Sequence, residues 1–126
     1  MREIVCIGTG EEVKDFLGRM RGKAAAFLER IKLPVLWQAA TDPFFDPSHS
    51  VRYLAQRLDP LKTEMVLDGR LAIGSVNFHR NYFGEAFDLL RDGAPASSGC
   101  IAFGLERWAQ AVCTAYGARP EAWPLP

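Results

Sequence analysis

The sequence has no long apolar run, no excess of one charge and few cysteines. Its 126 residues contain no stretch that approaches the ~20 consecutive apolar residues of a membrane span, and the N-terminus lacks a signal-peptide pattern. Lys plus Arg and Asp plus Glu each number 15, so a formal net charge of zero gives no overall basic field for nucleic acid. We therefore expect a cytoplasmic protein with no membrane partner.

The cysteines argue against a disulfide framework. Cys6, Cys100 and Cys113 are odd in number and show no paired spacing, which leaves thiolate chemistry or plain burial. The length suits one ordinary domain with a single core. The chain opens on an apolar, strand-like run, Met1–Ile7, which indicates a piece of a longer sheet.

Hydrophobic periodicity predicts an antiparallel α+β domain, since several strands follow one another between two helices. Thr9 is a candidate cap for the first helix, and Asp68-Gly69 between two apolar runs is a strong hairpin signal. The aromatic residues Tyr82, Phe83 and Phe87 are expected in the core. The predicted strands are 1–7, 35–39, 62–67, 71–78 and about 86–90. The predicted helices run from just after Thr9 to Ile31, over 48–58 and over about 104–116.

The candidate chemistry begins at the start of the last helix, where Gly99 and Gly104 precede Glu106-Arg107. Glycines there permit close backbone approach, and an arginine in a first helical turn can stack on a base or pair with phosphate oxygens. The alternative is an ordinary surface helix start with a local ion pair. By spacing alone the motif is weak and favours that alternative.

Four stretches together carry a resemblance to a known family. They are Arg2–Val13 (REIVCIGTGEEV), Thr41–Phe45 (TDPFF), Ser75–Gly84 (SVNFHRNYFG) and Ser98–Trp108 (SGCIAFGLERW). The last resembles the third class-defining motif of class II aminoacyl-tRNA synthetases, in which the arginine lies against ATP. As a set, the four are similar to the amino acid:[carrier protein] ligases, which are truncated homologues of archaeal-type seryl-tRNA synthetases.

The resemblance implies a zinc ion in the amino-acid site. In the family it is held by two cysteines and a glutamate, and Glu3 and Cys100 match two of these three ligands. The first cysteine and the motif-two arginine would lie upstream of residue 1, so the zinc site is incomplete within this chain. Residues 1–126 would then be the C-terminal part of the catalytic domain, from the second strand of motif two through motif three.

Ser75, Asn77 and His79 alternate along a predicted strand, so their side chains share one face, where they could bind a small substrate. Without the family match, a solvent-facing edge is equally probable. Glu64, on the neighbouring strand, is a candidate for placing ATP and Mg²⁺, with an exposed carboxylate as the equal alternative. We expect His79 to orient its neighbours and not to act as a general base.

The implied function is ATP-dependent activation of a small amino acid, followed by transfer to the phosphopantetheine thiol of a carrier protein, with no tRNA charged. The implied site comprises Arg107 as catalytic and ATP-binding residue, Glu64 for ATP, Ser75, Asn77 and His79 for substrate, and Glu3 and Cys100 for zinc. The family implies a homodimer and an N-terminal half that the chemistry requires. A fragment of an archaeal-type seryl-tRNA synthetase, or a non-catalytic binding remnant, remains an alternative.

Overall fold

The computed structural model describes residues 1–40 and 61–124. The strands are β1 (Arg2–Gly8), β2 (Val35–Ala40), β3 (Lys62–Leu67), β4 (Leu71–Arg80), β5 (Leu90–Arg91), β6 (Ala94–Pro95) and β7 (Ser97–Phe103). The helices are α1 (Gly10–Arg30), α2 (Tyr82–Ala86) and α3 (Leu105–Tyr116), followed by a 3₁₀ turn at Pro120–Ala122. The predicted helix 48–58 and the motif Thr41–Phe45 lie outside the described residues.

Five strands form one antiparallel sheet in the order β1-β7-β4-β3-β2, and β5 and β6 pair as a separate ribbon. The predicted α+β class is confirmed. The hairpin at Asp68-Gly69 is also confirmed, because Leu67 pairs with Leu71, and Asp68 and Gly69 both adopt the left-handed conformation (φ 50° and 67°) in the turn between them. β1 and β2 occupy the two ends of the described sheet.

Helix α1 begins at a capping box, which confirms the prediction that Thr9 caps this helix. The Thr9 hydroxyl accepts a hydrogen bond from the Glu12 amide (3.2 Å), and the Glu12 carboxylate accepts one from the Thr9 amide (2.7 Å). The helix packs against β7, β4 and β1, and buries Val13, Leu17 and Leu28. Its N-terminus is therefore fixed directly beside the end of β1.

The core lies between the sheet and helices α1 and α3, which cover the same sheet face. Phe27 of α1 contacts Trp108 of α3 (ring centroids 6.0 Å apart), and the Tyr116 hydroxyl donates to the Ile31 carbonyl oxygen. The buried core cluster consists of Leu28, Ile31, Leu33, Met65, Leu67, Ile73, Ile101 and Ala111.

Gly99 is explained by helix packing and not by a ligand. A Cβ there would lie 2.8 Å from the Asn77 carbonyl oxygen and 2.9 Å from a Val13 side-chain carbon. Neither neighbour can yield easily, because one is backbone and the other is fully buried. The glycine lets α1 approach β7 closely.

The segment 82–90 differs from its prediction. In place of a strand at about 86–90, the structure has the short helix α2 followed by β5. The side chains of Tyr82, Phe83 and Phe87 are 57%, 37% and 68% exposed, so their assignment to the core is wrong. Gly84 packs directly against the Ala96 backbone, so this side of α2 faces the rest of the protein. Phe83 and Phe87 stack on each other, with ring centroids 6.1 Å apart.

Among the described helices, none combines the length and apolar character needed to cross a bilayer.

We expect Ile101→Ala to lower the free energy of unfolding by about 2–5 kcal/mol, because the side chain is fully buried and its removal leaves a cavity. Urea denaturation measures this. Ile4→Ala is the matched control, since Ile4 pairs directly with Ile101 across β1 and β7 but is 42% exposed. Equal losses for the two variants would contradict this placement of the core.

Candidate functional site

Strand pairing aligns the predicted site residues in rows on the sheet face opposite α1 and α3. Alternation along β7 directs Gly99 and Ile101 toward the helices and Ser98, Cys100 and Ala102 to the other side. Across the strands, the first row is Glu3, Ala102, Ser75, Glu64 and Gln38, and the second is Val5, Cys100, Asn77, Lys62 and Ala40. These two rows, with His79 and Ser98, form what we call the polar face.

Cys100 is the centre of a hydrogen-bonded cluster on the polar face. Its Sγ accepts from Asn77 Nδ2 at 3.2 Å and lies 3.7 Å from His79 Nε2. His79 Nδ1 is 3.1 Å from Ser98 Oγ, and Asn77 Nδ2 is 3.1 Å from Ser75 Oγ. All three predicted substrate-binding residues thus join one network with the predicted zinc ligand Cys100.

The location of His79 depends on a bulge. Phe78 pairs with Gly99 and Arg80 pairs with Ser98, so His79 is an extra residue in β4 at this point. The imidazole therefore reaches both Ser98 and Cys100 on β7. This arrangement suits a group that orients its neighbours, as predicted for His79.

Burial raises the pKa of the Cys100 thiol, because the side chain is only 4% exposed and a thiolate there loses its hydration. The hydrogen bond from Asn77 opposes this effect, the negative charge of Glu3 adds to it, and the positive charge of Lys62 lowers the pKa. Glu3 and Lys62 are therefore both close enough to act on the thiol. The neutral thiol is the stable form of this arrangement near pH 7.

Asn77 also carries a buried polar atom with no hydrogen-bond partner. Its Oδ1 is enclosed, and within the described ranges it accepts no hydrogen bond. Buried amide oxygens are nearly always satisfied, and an exception at a cluster of polar groups points to a donor from a ligand. An ammonium group is a donor of the required kind.

A cavity of about 350 Å³ lies next to this cluster, where the first residues of β4 meet the start of α3. It is the size of an ordinary small-molecule site. Three predicted residues line it, namely Arg107, Glu64 and Ser75. The other lining residues are Met1, Lys62, Ala72, Ile73, Gly74, Ala102, Gly104 and Glu106.

Arg107 is held at the cavity by the backbone. Its Nη1 donates to the Ala72 carbonyl oxygen at 2.8 Å, and the Gly104 amide donates to the Ile73 carbonyl oxygen at 2.9 Å. Because these bonds join the first turn of α3 to β4, the guanidinium stays exposed at the cavity and does not fold back along its own helix. Glu106, the neighbour considered as an ion-pair partner, also lines the cavity.

Lys62 was not singled out from the sequence. Its Nζ lies 3.2 Å from a Glu64 carboxylate oxygen, and both side chains are less than one-third exposed. The sequence pattern shows only that residues 62 and 64 share a strand face. It does not show that Asn77 and Cys100 lie beside Lys62, and without those neighbours Lys62 does not indicate a site.

The predicted zinc ligands share the polar face but belong to different rows. Glu3 pairs with Ala102 and Cys100 pairs with Val5, so the two side chains are diagonal neighbours across β1 and β7. Within residues 1–40 and 61–124, no three His, Cys, Asp or Glu side chains are grouped to hold a metal ion. A thiol and a nearby carboxylate are nevertheless a donor pair that suits zinc.

Comparison with known proteins gives two curated relatives, while no family model matches the chain. Amino acid--[acyl-carrier-protein] ligase 1 of Bradyrhizobium diazoefficiens is 36% identical over 98% of this chain and 40% of its own length. Ligase 2 of the same organism is 32% identical over 99% of this chain and 39% of its own length. The chain therefore spans about 40% of the length of these relatives.

A solved structure shows the fold. A chain in the crystal structure of A. aeolicus tRNASec in complex with M. kandleri SerRS matches with a TM-score of 0.77 and 23% sequence identity. The match covers 98% of this chain and 26% of that one, and it confirms the class II synthetase-like α+β fold. Together with the ligase matches it confirms the resemblance carried by the motifs: the chain is a relative of part of the amino acid--[acyl-carrier-protein] ligases, on a fold shared with seryl-tRNA synthetase.

Proposed function

We propose that this chain supplies the ATP and amino-acid sites of an adenylate-forming ligase. The reaction activates a small amino acid as an aminoacyl-adenylate and transfers the aminoacyl group to the phosphopantetheine thiol of a carrier protein. One observation carries the proposal. The cavity containing Arg107, Glu64 and Ser75 lies beside the cluster containing Asn77, His79 and Cys100, so two adjoining sites share one sheet face.

The cavity is the proposed ATP site. Arg107 has a planar guanidinium that binds phosphate oxygens and stacks on a base, and its bond to Ala72 already orients it. Glu64 contributes a carboxylate of the kind that Mg²⁺ accepts beside nucleotide phosphates. Glu64 pairs with Lys62 in the described structure, so cation binding would share or replace that contact.

The Cys100 cluster is the proposed amino-acid site. Asn77 Oδ1 is a buried acceptor without a described partner, which suits the α-ammonium group of the substrate. Ser75 bridges the two sites, since it lines the cavity and its Oγ contacts Asn77. His79 holds its ring between Ser98 and Cys100 and so positions the cluster.

Glu3 and Cys100 are the proposed zinc ligands. Both lie on the polar face, as diagonal neighbours across β1 and β7, which supports their assignment to one metal site. A bound Zn²⁺ would supply a Lewis-acid position for the α-amino group of the substrate. The remaining ligands would come from outside the described donor pair.

The chain's own residues act mainly by positioning and charge neutralisation. The amino-acid carboxylate attacks the α-phosphorus of ATP, a bond forms from carboxylate oxygen to phosphorus, and pyrophosphate leaves. No proton is removed in this step, so no general base is required of His79. Arg107 offsets negative charge, and the shared face holds the two substrates close together.

The partners of the proposed ligase follow from the relatives. Their printed names specify an amino acid and an acyl carrier protein, which we propose as the partners here. We further propose a cytoplasmic homodimer that charges no tRNA, in which residues 1–126 are the C-terminal part of the catalytic domain. Activity of that domain would require an N-terminal half that contributes the further cysteine and the motif-two arginine.

We expect Arg107→Ala to weaken Mg²⁺-ATP binding by the purified chain about 10- to 100-fold, as for loss of a hydrogen bond between charged groups. Isothermal titration measures the change. Arg19→Ala is the control, because it removes the same charge from α1, on the other sheet face, where Arg19 pairs with the exposed Asp15. Equal affinity of wild type and Arg107→Ala would contradict the nucleotide role.

In the longer form that includes the N-terminal half, we expect Cys100→Ser to lower the zinc content of protein purified from zinc-supplemented medium, because a hydroxyl is a much poorer zinc ligand than a thiolate. Elemental analysis gives the metal-to-protein ratio. Cys113→Ser serves as control, since Cys113 is on α3 and away from the polar face. A zinc content that is the same in wild type and both variants would remove Cys100 from the site.

A further inference from the structure

Lys62 lies at the junction of the two proposed sites. It lines the cavity with Arg107, and its strand partner is Asn77, which contacts Cys100. Because Asn77 Nδ2 donates to Cys100 Sγ, the strand pairing of Lys62 with Asn77 places the lysine beside that cluster. In the second row Lys62 therefore stands between the nucleotide cavity and the amino-acid cluster.

The proposed reaction favours a cation at this junction. Among the described residues that line the cavity, the basic side chains are Lys62 and Arg107 and the carboxylates are Glu64 and Glu106. The reaction brings a carboxylate toward a phosphate, and two anions in a half-buried site repel each other strongly. Arg107 lies farther from this junction than Lys62, since its Nη1 donates to the Ala72 carbonyl oxygen at the other end of the cavity.

We propose that Lys62 binds the α-phosphate of ATP and neutralises it against the incoming amino-acid carboxylate. This inference rests on the proposed function and adds a residue to it. Lys62 is well placed because its side chain is less than one-third exposed, and its ammonium group lies 3.2 Å from a Glu64 carboxylate oxygen at the cavity. A divalent cation on Glu64 would free that ammonium for phosphate oxygens.

The strand register supports the assignment to the α-phosphate in preference to the terminal ones. Lys62 is one row nearer to Cys100 than Glu64 and Ser75 are, and Arg107 lies beyond them at the end of the sheet. The phosphate that is attacked must lie next to the amino-acid carboxylate. Of the two basic side chains in the cavity, only Lys62 adjoins the amino-acid cluster.

A nucleotide series tests the assignment. Dissociation constants of adenosine, AMP and Mg²⁺-ATP are measured by titration for wild type, Lys62→Met and Lys62→Gln, with Lys23→Met as the control on exposed α1. We expect each Lys62 variant to weaken AMP and ATP about tenfold and to leave adenosine within about twofold, because only the first two carry the α-phosphate. Lys62→Arg is expected to recover most of the loss.

The outcomes separate this inference from the proposed function. If Arg107→Ala weakens ATP binding but the Lys62 variants do not, the inference is wrong and the ATP site stands. A loss seen with ATP but not with AMP would assign Lys62 to the terminal phosphates and would also overturn it. If the wild-type chain binds none of the three, the proposed function fails as well.

A purely structural role for Lys62 gives a different pattern. In that case the loss of the ion pair with Glu64 would lower the urea midpoint and leave all three dissociation constants unchanged, which would overturn the inference. Unfolding curves for each variant make this distinction. Lys62→Gln retains a hydrogen-bond donor to Glu64, so it guards against failure of Lys62→Met to fold.

Discussion

The antiparallel pairing of β7 with β1 on one side and β4 on the other is the constraint on which the rest of the structure depends. β7 sends Gly99 and Ile101 into the helix-covered core and Cys100 toward the polar face. Because side chains alternate with period two, the register that builds the core also aligns the site. Core and site are two sides of the same hydrogen-bond ladder.

Gly99 shows how the motif at the end of the sheet serves packing and chemistry together. Because Gly99 has no side chain, Val13 of α1 packs closely against β7. Cys100 projects from the opposite face of the same strand. Gly104 then turns the chain into α3 and brings Arg107 over Ala72. A short run of residues thereby fixes one helix, begins another and supplies members of both proposed sites.

Local patterns predicted most of this architecture. The Thr9 cap and the Asp68-Gly69 turn depend on neighbours within a few residues, and the structure agrees with them. The side chains of Ser75, Asn77 and His79 meet in one network, which His79 joins through a bulge against β7. Lys62 was overlooked because its position beside Cys100 depends on the register of three strands distant in sequence. The prediction for 82–90 was wrong for a similar reason. Gly84 packs against Ala96, which is distant in sequence, and this contact leaves Tyr82, Phe83 and Phe87 on the exposed side of α2.

The bulge at His79 determines where the sheet can lose a residue without losing its strand pairing. One residue removed between Phe78 and Arg80 would restore regular pairing with β7, so the sheet could absorb such a deletion at little cost while the imidazole was lost. β7 (Ser97–Phe103) has no extra residue against β1, so a deletion there shifts the pairing. Removal of Ser98 with the pairing of Ser97 kept, for example, would exchange the faces of Gly99 and Cys100 and place a thiol against Val13 and a glycine in the site. A gap at the His79 bulge therefore preserves the sheet, whereas a gap in β7 changes which side chains face the core and the site.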